Sequence, residues 1–382
     1  MPRQDVPVDR LPVHGVLDQD LTADGVVLRR LPAWTRPQLV EPAQEIVSTM
    51  PAGGVIRFRT ASRVLELDAM LTVLRIRDQE RPSPVFDLVV DDVVVAAAVA
   101  DDVMTYHLQG YRPEDLVVVP GGPDTLRFEL PGSTEQVVEI WLPHDTVVEV
   151  RGVRIDEGTT LEPVDRARRR WVHHGSSISH CLEAPRPTET WPALVARRAG
   201  VDSLNLGLGG QCMLDQFVAR TIRDERADLL SLKVGINVVN GDTMRERTFR
   251  PALHGFLDTV RDGHPDTPFL VVTPIICPAA EESPGPSVLG DDGRYGVVPR
   301  PVELAAGALT LRRVREIVTE VVTVRQQAGD AHLHLLDGLT LFGERDADLL
   351  PDALHPNAEG YQRIADRFHS AAFDGGPFAE RR

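Results

Sequence analysis

Through residues 1 to about 160 the apolar positions fall in short runs, each bounded by Gly, Pro or Asp-rich turns. Segments 55–60 and 64–68 alternate in part between apolar and polar residues. Further runs cover 85–90, 93–99, 126–130, 137–142 and 147–155. A period near two places successive side chains on opposite faces, so each run reads as a strand. No helical stripe of any length lies between them, and Pro120-Gly121-Gly122-Pro123-Asp124 is a strong turn. Many short strands joined by such turns predict an antiparallel sandwich or barrel.

The pattern changes near Asp165. Residues 165–170 form a charged joint with four arginines. Beyond it, strand-like runs at 171–174, 201–206, 229–236, 269–276 and 332–336 alternate with helical spacing at 191–198, 214–226, 249–261, 302–327 and 358–368. Such alternation predicts a parallel, doubly wound α/β domain, whose ligands bind beyond the carboxyl ends of the strands. The expected organisation is therefore two domains, an all-β sandwich over 1–165 and an α/β domain over 166–382. A stretch rich in Pro, Gly, Ser and acid, 278–301, follows a strand and is expected to overhang the site as a substrate-shaping loop.

Composition narrows the function. The chain has 382 residues, 42% of them hydrophobic, enough for two cores. Lys plus Arg number 41 against 57 acidic residues, a formal charge of -16. That surface repels phosphates, so nucleic acid is not an expected partner. No run of 18 apolar residues exists, which predicts no membrane span. Three widely spaced cysteines, Cys181, Cys212 and Cys277, argue against a disulfide framework or structural zinc. The N-terminus lacks the apolar stretch of a signal peptide, so a cytoplasmic location is the expectation.

The chemistry gathers in four short segments. Gly175-Ser176-Ser177-Ile178 places serines in a tight turn after a strand, with Ser177 the candidate nucleophile. Ser176 and Ser179 compete with it locally, and composition does not choose among the three hydroxyls. Asp352-Ala353-Leu354-His355 places a histidine three residues after an aspartate, a spacing that can bring the carboxylate under Nδ1 of the imidazole. A serine hydroxyl needs such a base to act at neutral pH. Asn205-Leu206-Gly207-Leu208-Gly209-Gly210 and Gly235-Ile236-Asn237 each follow a strand. The Gly210 N–H and the Asn237 amide could face a developing oxyanion. The glycines lack the G-x-G-x-x-G spacing of a dinucleotide site. His173, His174, His180, His332 and His334 form no zinc pattern and are expected to be packed or exposed. No cofactor or metal is expected. Cys181 and Cys212 are expected as buried small hydrophobes.

Taken together, these four segments resemble the conserved blocks of the SGNH hydrolases, also called GDSL-type esterases and lipases, over about 171–370. The resemblance implies a three-layer α/β fold with a mainly parallel sheet. It places the nucleophile on Ser177, the base on His355 and its partner on Asp352. It places the oxyanion hole on Ser177, Gly210 and Asn237. Two positions depart from the family pattern. Ser176 stands where an Asp usually follows the first Gly, and Val238 where an Asp often follows the oxyanion asparagine. The domain order is similar to that of the second family of carbohydrate esterases, in which a jelly-roll domain precedes the hydrolase. That likeness implies an O-acylated sugar or glycosylated small molecule as substrate. A short acyl group such as acetyl is expected because no hydrophobic lid helix is evident and the one long insert is polar. Two rivals share the architecture: an acyltransferase using the same serine intermediate, and a non-catalytic carbohydrate-binding protein. The first domain is open to three roles: extending the cleft, self-association into a homo-oligomer, or binding glycans through Trp34, Tyr106, Tyr111 or Trp141.

Overall fold

The computed structural model describes residues 2–76, 82–109, 115–165 and 168–380. Two compact units share the chain: Met1–Ala167 with Pro185–Thr188, and Arg168–Ala184 with Glu189–Arg382. Tyr111 and two arginine-joint positions, 166 and 167, lie outside the described residues.

The first unit is a β-sandwich. Its larger sheet is organised by the strand Val64–Ile76, which pairs antiparallel with Thr146–Asp156 and with Pro123–Glu129. One pairing in this sheet, with Met104–Leu108, is parallel. The second sheet runs Glu162–Pro163, Val55–Thr60, Gln136–Trp141, Val85–Val90, Val93–Val99, all antiparallel. Leu65, Leu67, Ala69 and Leu71 alternate inward from Val64–Ile76 and meet Ile56, Phe58, Leu88 and Ile140 in one core. Each buried Leu or Phe contributes about 1.5–3 kcal/mol. The other face of the second sheet carries a buried charge pair: Arg57 Nε donates to Glu139 at 2.8 Å, and Trp141 Nε1 donates to the other oxygen at 3.0 Å. Trp141 is thus buried and closed to sugar stacking, whereas Trp34 is exposed.

Several elements here were not expected. The first thirty residues contribute strands Arg3–Val6, Asp18–Leu21 and Val26–Arg29, and Pro42–Ser48 is a helix. Asp18–Leu21 is polar and largely uncovered, so no apolar alternation marks it. Pro42–Ser48 is two turns long, too short to show a stripe, and starts on a proline at its first position, where a missing N–H costs nothing.

In the second unit, five parallel strands lie in the order Asp202–Gly207, Arg170–Gly175, Leu229–Lys233, Phe269–Val272, Leu333–Leu336. In chain order this is 2-1-3-4-5, a doubly wound sheet whose switch point lies between the strands Arg170–Gly175 and Leu229–Lys233. Helices cover both faces. Trp171 stacks on Phe368 at 5.4 Å and lies 6.0 Å from Trp191, fixing the helices Trp191–Ala199 and Ala358–Phe373 on one face. His174, on the opposite face, stacks on Phe256 of the helix Glu246–Gly263 at 5.8 Å.

Four segments differ from the sequence reading. The long helix begins at Leu311, with Thr310 capping it, instead of at residue 302. Gly307 sits at a φ of 70°, which interrupts any helix through 302–310. The third strand stops at Lys233 and a short helix starts at Ile236, because Gly235 turns the chain with a φ of 131°. The fourth stops at Val272. The segment 278–301 is structured: a hairpin pairs Ser287–Leu289 with Tyr295–Val297. Among the described residues no helix is long and apolar enough to cross a membrane.

Candidate active site

All four chemical segments follow carboxyl ends of the parallel strands, two of them flanking the switch point. Immediately after Gly175 the chain turns into the helix Ser177–His180. Ser176 caps this helix, its hydroxyl accepting from the Ile178 N–H at 3.3 Å. Ser179 is tied to the buried His173, with Oγ 2.7 Å from Nε2. Ser177 Oγ lies 2.8 Å from Nε2 of His355. The three adjacent hydroxyls therefore have three different tasks, and only Ser177 meets the imidazole near the end of the chain.

The His355 turn is built for that contact. Asp352 Oδ1 accepts from the backbone N–H groups of Leu354 and His355, at 2.9 and 2.7 Å. Its Oδ2 accepts from Nδ1 of His355 at 2.6 Å. With Nδ1 carrying the proton, Nε2 is free to accept from Ser177. Burial pushes the Asp352 carboxyl up, but the His355 hydrogen bond and charge and the two backbone donors outweigh it. The carboxyl stays below its ordinary range, ionised under the imidazole. Ala353 supports the turn with a φ of 67°. The segment 278–301 reaches this turn: Tyr295 N–H donates to the Asp352 carbonyl at 2.8 Å, and its ring stands edge-on to His355 at 5.8 Å.

Ser177, Gly210 and Asn237 are the expected oxyanion donors. Ser177 opens a helix, where the first N–H groups have no partner within the helix. The glycine segment divides its labour. A Cβ on Gly207 would come within 2.5 Å of the His180 nitrogen, so this glycine permits close packing. Gly210 turns the chain at a φ of 72°. Among the described residues nothing accepts from its N–H. Asn237 Oδ1 accepts from the Cys212 N–H at 3.0 Å. That bond fixes the amide orientation and leaves both Nδ2 protons unengaged among the described residues.

Behind the site lies a buried polar layer. His173, His174, His180 and Ser179 are fully buried. Burial, with repulsion from His174 and Lys233, holds the His173 imidazole well below its ordinary pKa. Burial also lowers the Lys233 ammonium to about 8. The three cysteines are free and buried, and burial pushes the Cys277 thiol up to about 11. They are not nucleophiles at neutral pH.

One group next to the base was not anticipated. Glu183 Oε1 lies 3.8 Å from Nδ1 of His355, and its Oε2 accepts from the hydroxyl of Tyr361 at 3.0 Å. No local motif marks it, since Glu183 lies 178 residues from Tyr361 and meets the His355 segment only on folding.

Comparison with known proteins agrees with this geometry. Residues 174–363 match the model of the GDSL-like lipase/acylhydrolase family. No curated protein sequence matches the chain. Among solved structures, the chain is similar to salicylyl-acyltransferase SsfX3 from a tetracycline biosynthetic pathway, with 24% identity, 99% of both chains covered and a TM-score of 0.80. It is also similar to a candidate GDSL-like lipase from Bacteroides ovatus, with 18% identity, 96% of both chains covered and a TM-score of 0.69. A family two carbohydrate esterase from Cellvibrio japonicus aligns at 13% identity over 96% of both chains, with a TM-score of 0.58. These likenesses extend the shared fold to the sandwich as well as the α/β unit. With a Ser–His pair in hydrogen-bond contact at the switch point of such a sheet, the chain belongs to the GDSL-like, or SGNH, superfamily of serine hydrolases acting on carboxylic esters.

Proposed function

We propose that the protein cleaves O-acyl esters through an acyl-enzyme on Ser177. The observation that carries this reading is the chain of contacts from Ser177 Oγ through His355 to Asp352, at 2.8 and 2.6 Å. His355 Nε2 takes the hydroxyl proton as Oγ bonds to the ester carbonyl carbon. The carbonyl oxygen becomes an oxyanion, received by the N–H groups of Ser177 and Gly210 and by Asn237 Nδ2. Collapse breaks the bond to the alcohol oxygen, which leaves with the proton from Nε2. Water then attacks the acyl-enzyme, giving its proton to His355, and the carboxylic acid departs as Ser177 recovers its hydrogen. Asp352 orients the ring and supports the imidazolium throughout.

For the substrate we favour a short acyl group, such as acetyl, on a sugar or glycosylated small molecule. Two facts support this choice. The hairpin segment beside His355 is polar, with Glu281, Glu282, Ser283, Asp291 and Asp292 among its residues. The two-unit architecture is shared with a carbohydrate esterase. A second reading, acyl transfer to an alcohol or amine, draws on the whole-chain likeness to an acyltransferase. Both readings share the acyl-enzyme and part only at the acceptor.

A panel of p-nitrophenyl esters from acetyl to palmitoyl, beside acetylated sugars, tests the assignment. Steep loss of kcat/KM with chain length and release of acetate from the sugars are expected. A rise with chain length excludes the short-acyl reading. Adding alcohol or amine acceptors separates the second reading: a new ester or amide at the expense of free acid selects transfer.

A further inference from the structure

Nδ1 of His355 faces two carboxylates, and the mechanism above uses one. Asp352 is engaged at both oxygens within its own turn: one takes two backbone N–H groups and the other takes Nδ1. Glu183 is not. Its Oε1 faces Nδ1 at 3.8 Å with side-chain exposure of 28%, while its Oε2 accepts a hydrogen bond from the Tyr361 hydroxyl. Tyr361 is fully buried on the helix Ala358–Phe373. Burial raises its pKa well above the usual phenol value, and the Glu183 charge adds to this, so it stays a donor. A rigid, neutral hydroxyl thus fixes the Glu183 side chain at the rear of the base.

The charge matters when the ring becomes an imidazolium. A carboxylate at that distance attracts the cation, and its partial exposure weakens the attraction. The attraction is absent while the imidazole is neutral, so it favours the state in which His355 holds the serine proton. Ser177 approaches the opposite nitrogen, Tyr295 offers a ring edge, and the Cys277 thiol lies 3.6 Å from the Ala353 carbonyl of the turn.

We propose that Glu183, held by Tyr361, is a second positioning residue for the base, sharing the His355 imidazolium with Asp352. This rests on the serine-esterase reading. It makes the charge-supporting apparatus a pair of acids, one on the base's own turn and one just beyond the nucleophile helix.

The test follows Ser177 labelling by a fluorophosphonate and p-nitrophenyl acetate hydrolysis from pH 5 to 9. The proteins are the full chain and its S177A, E183Q, Y361F and E183Q/Y361F variants. Removing the Glu183 charge lowers the basicity of His355. The acid limb of both profiles should therefore move down by about half a pH unit, and the plateau should fall about tenfold with KM nearly unchanged. Y361F should shift both in the same direction by less. In the E183Q background it should add little, because the hydroxyl acts through the carboxylate. An E183Q profile that superimposes on the parent, with labelling still lost in S177A, overturns the Glu183 assignment alone. Independent, additive losses in the double variant, with an unmoved acid limb, overturn it equally and leave a packing role. Labelling that persists in S177A overturns the esterase reading beneath it.

Discussion

Two serine–histidine pairs lie within one turn of helix of each other. Ser177 meets His355 at 2.8 Å, and Ser179 meets His173 at 2.7 Å. By distance alone they are the same motif. Ser177 and His355 each keep 7% of their surface, whereas Ser179 and His173 keep none. The far nitrogen of His355 rests on a carboxylate; that of His173 rests on the Ser231 hydroxyl at 2.7 Å. One ring can accept a proton because an anion supports the cation. The other is kept neutral by burial and by the neighbouring Lys233. A short hydrogen bond therefore does not define a catalytic pair. The surroundings of the distant nitrogen and an opening to the substrate do.

The sharpest way to break this comparison is to remove each hydroxyl in turn. S177A should lose at least about 10⁴-fold in esterase kcat and all phosphonate labelling. S179A should retain labelling and activity within a few-fold. Reversal of that pattern would make the buried pair the reacting one. Next in size is the oxyanion side: N237A should cost about 10²–10³ in kcat, near 3 kcal/mol, with a smaller change in KM. An unchanged kcat would remove Asn237 from the site. The buried pair should instead show itself in stability. S179A removes the partner of the buried His173 Nε2 and should lower unfolding free energy by about 1–3 kcal/mol in urea titrations. The smallest effect is a slope. The folded His173 pKa is well below 6.5, so only the unfolded chain binds its proton as the pH falls below that value. Its contribution to stability is complete above pH 6.5 and declines beneath it, by at most about 1.4 kcal/mol per pH unit. H173Q should flatten the stability curve between pH 6.5 and 5; an unaltered slope would mean that His173 titrates in the folded protein.

The same comparison explains what could be read before folding. Ser177, Asp352, His355 and Asn237 sit in short segments whose local order carries their chemistry. Even so, nothing in Gly-Ser-Ser-Ile-Ser separates the capping Ser176 from Ser179, since that choice is made by His173 and by a histidine 178 residues away. Glu183 lies in a stretch with no periodicity, and Tyr361 reads as an ordinary core position of an amphipathic helix. The sandwich strands with alternating apolar residues, such as Val55–Thr60, were legible; Asp18–Leu21 was not, because an edge strand open to water needs no apolar code. The false helix through 302–310 arose from apolar spacing at Leu304, Ala305, Ala306 and Leu309, which Gly307 interrupts with a backbone angle that helices do not use.

The hairpin carrying Tyr295 grips the very turn that presents His355, through the Asp352 carbonyl. Hairpin and base are thus fastened together. A change in that hairpin would also be felt at the imidazole, so substitutions there should alter speed in addition to any effect on what is bound.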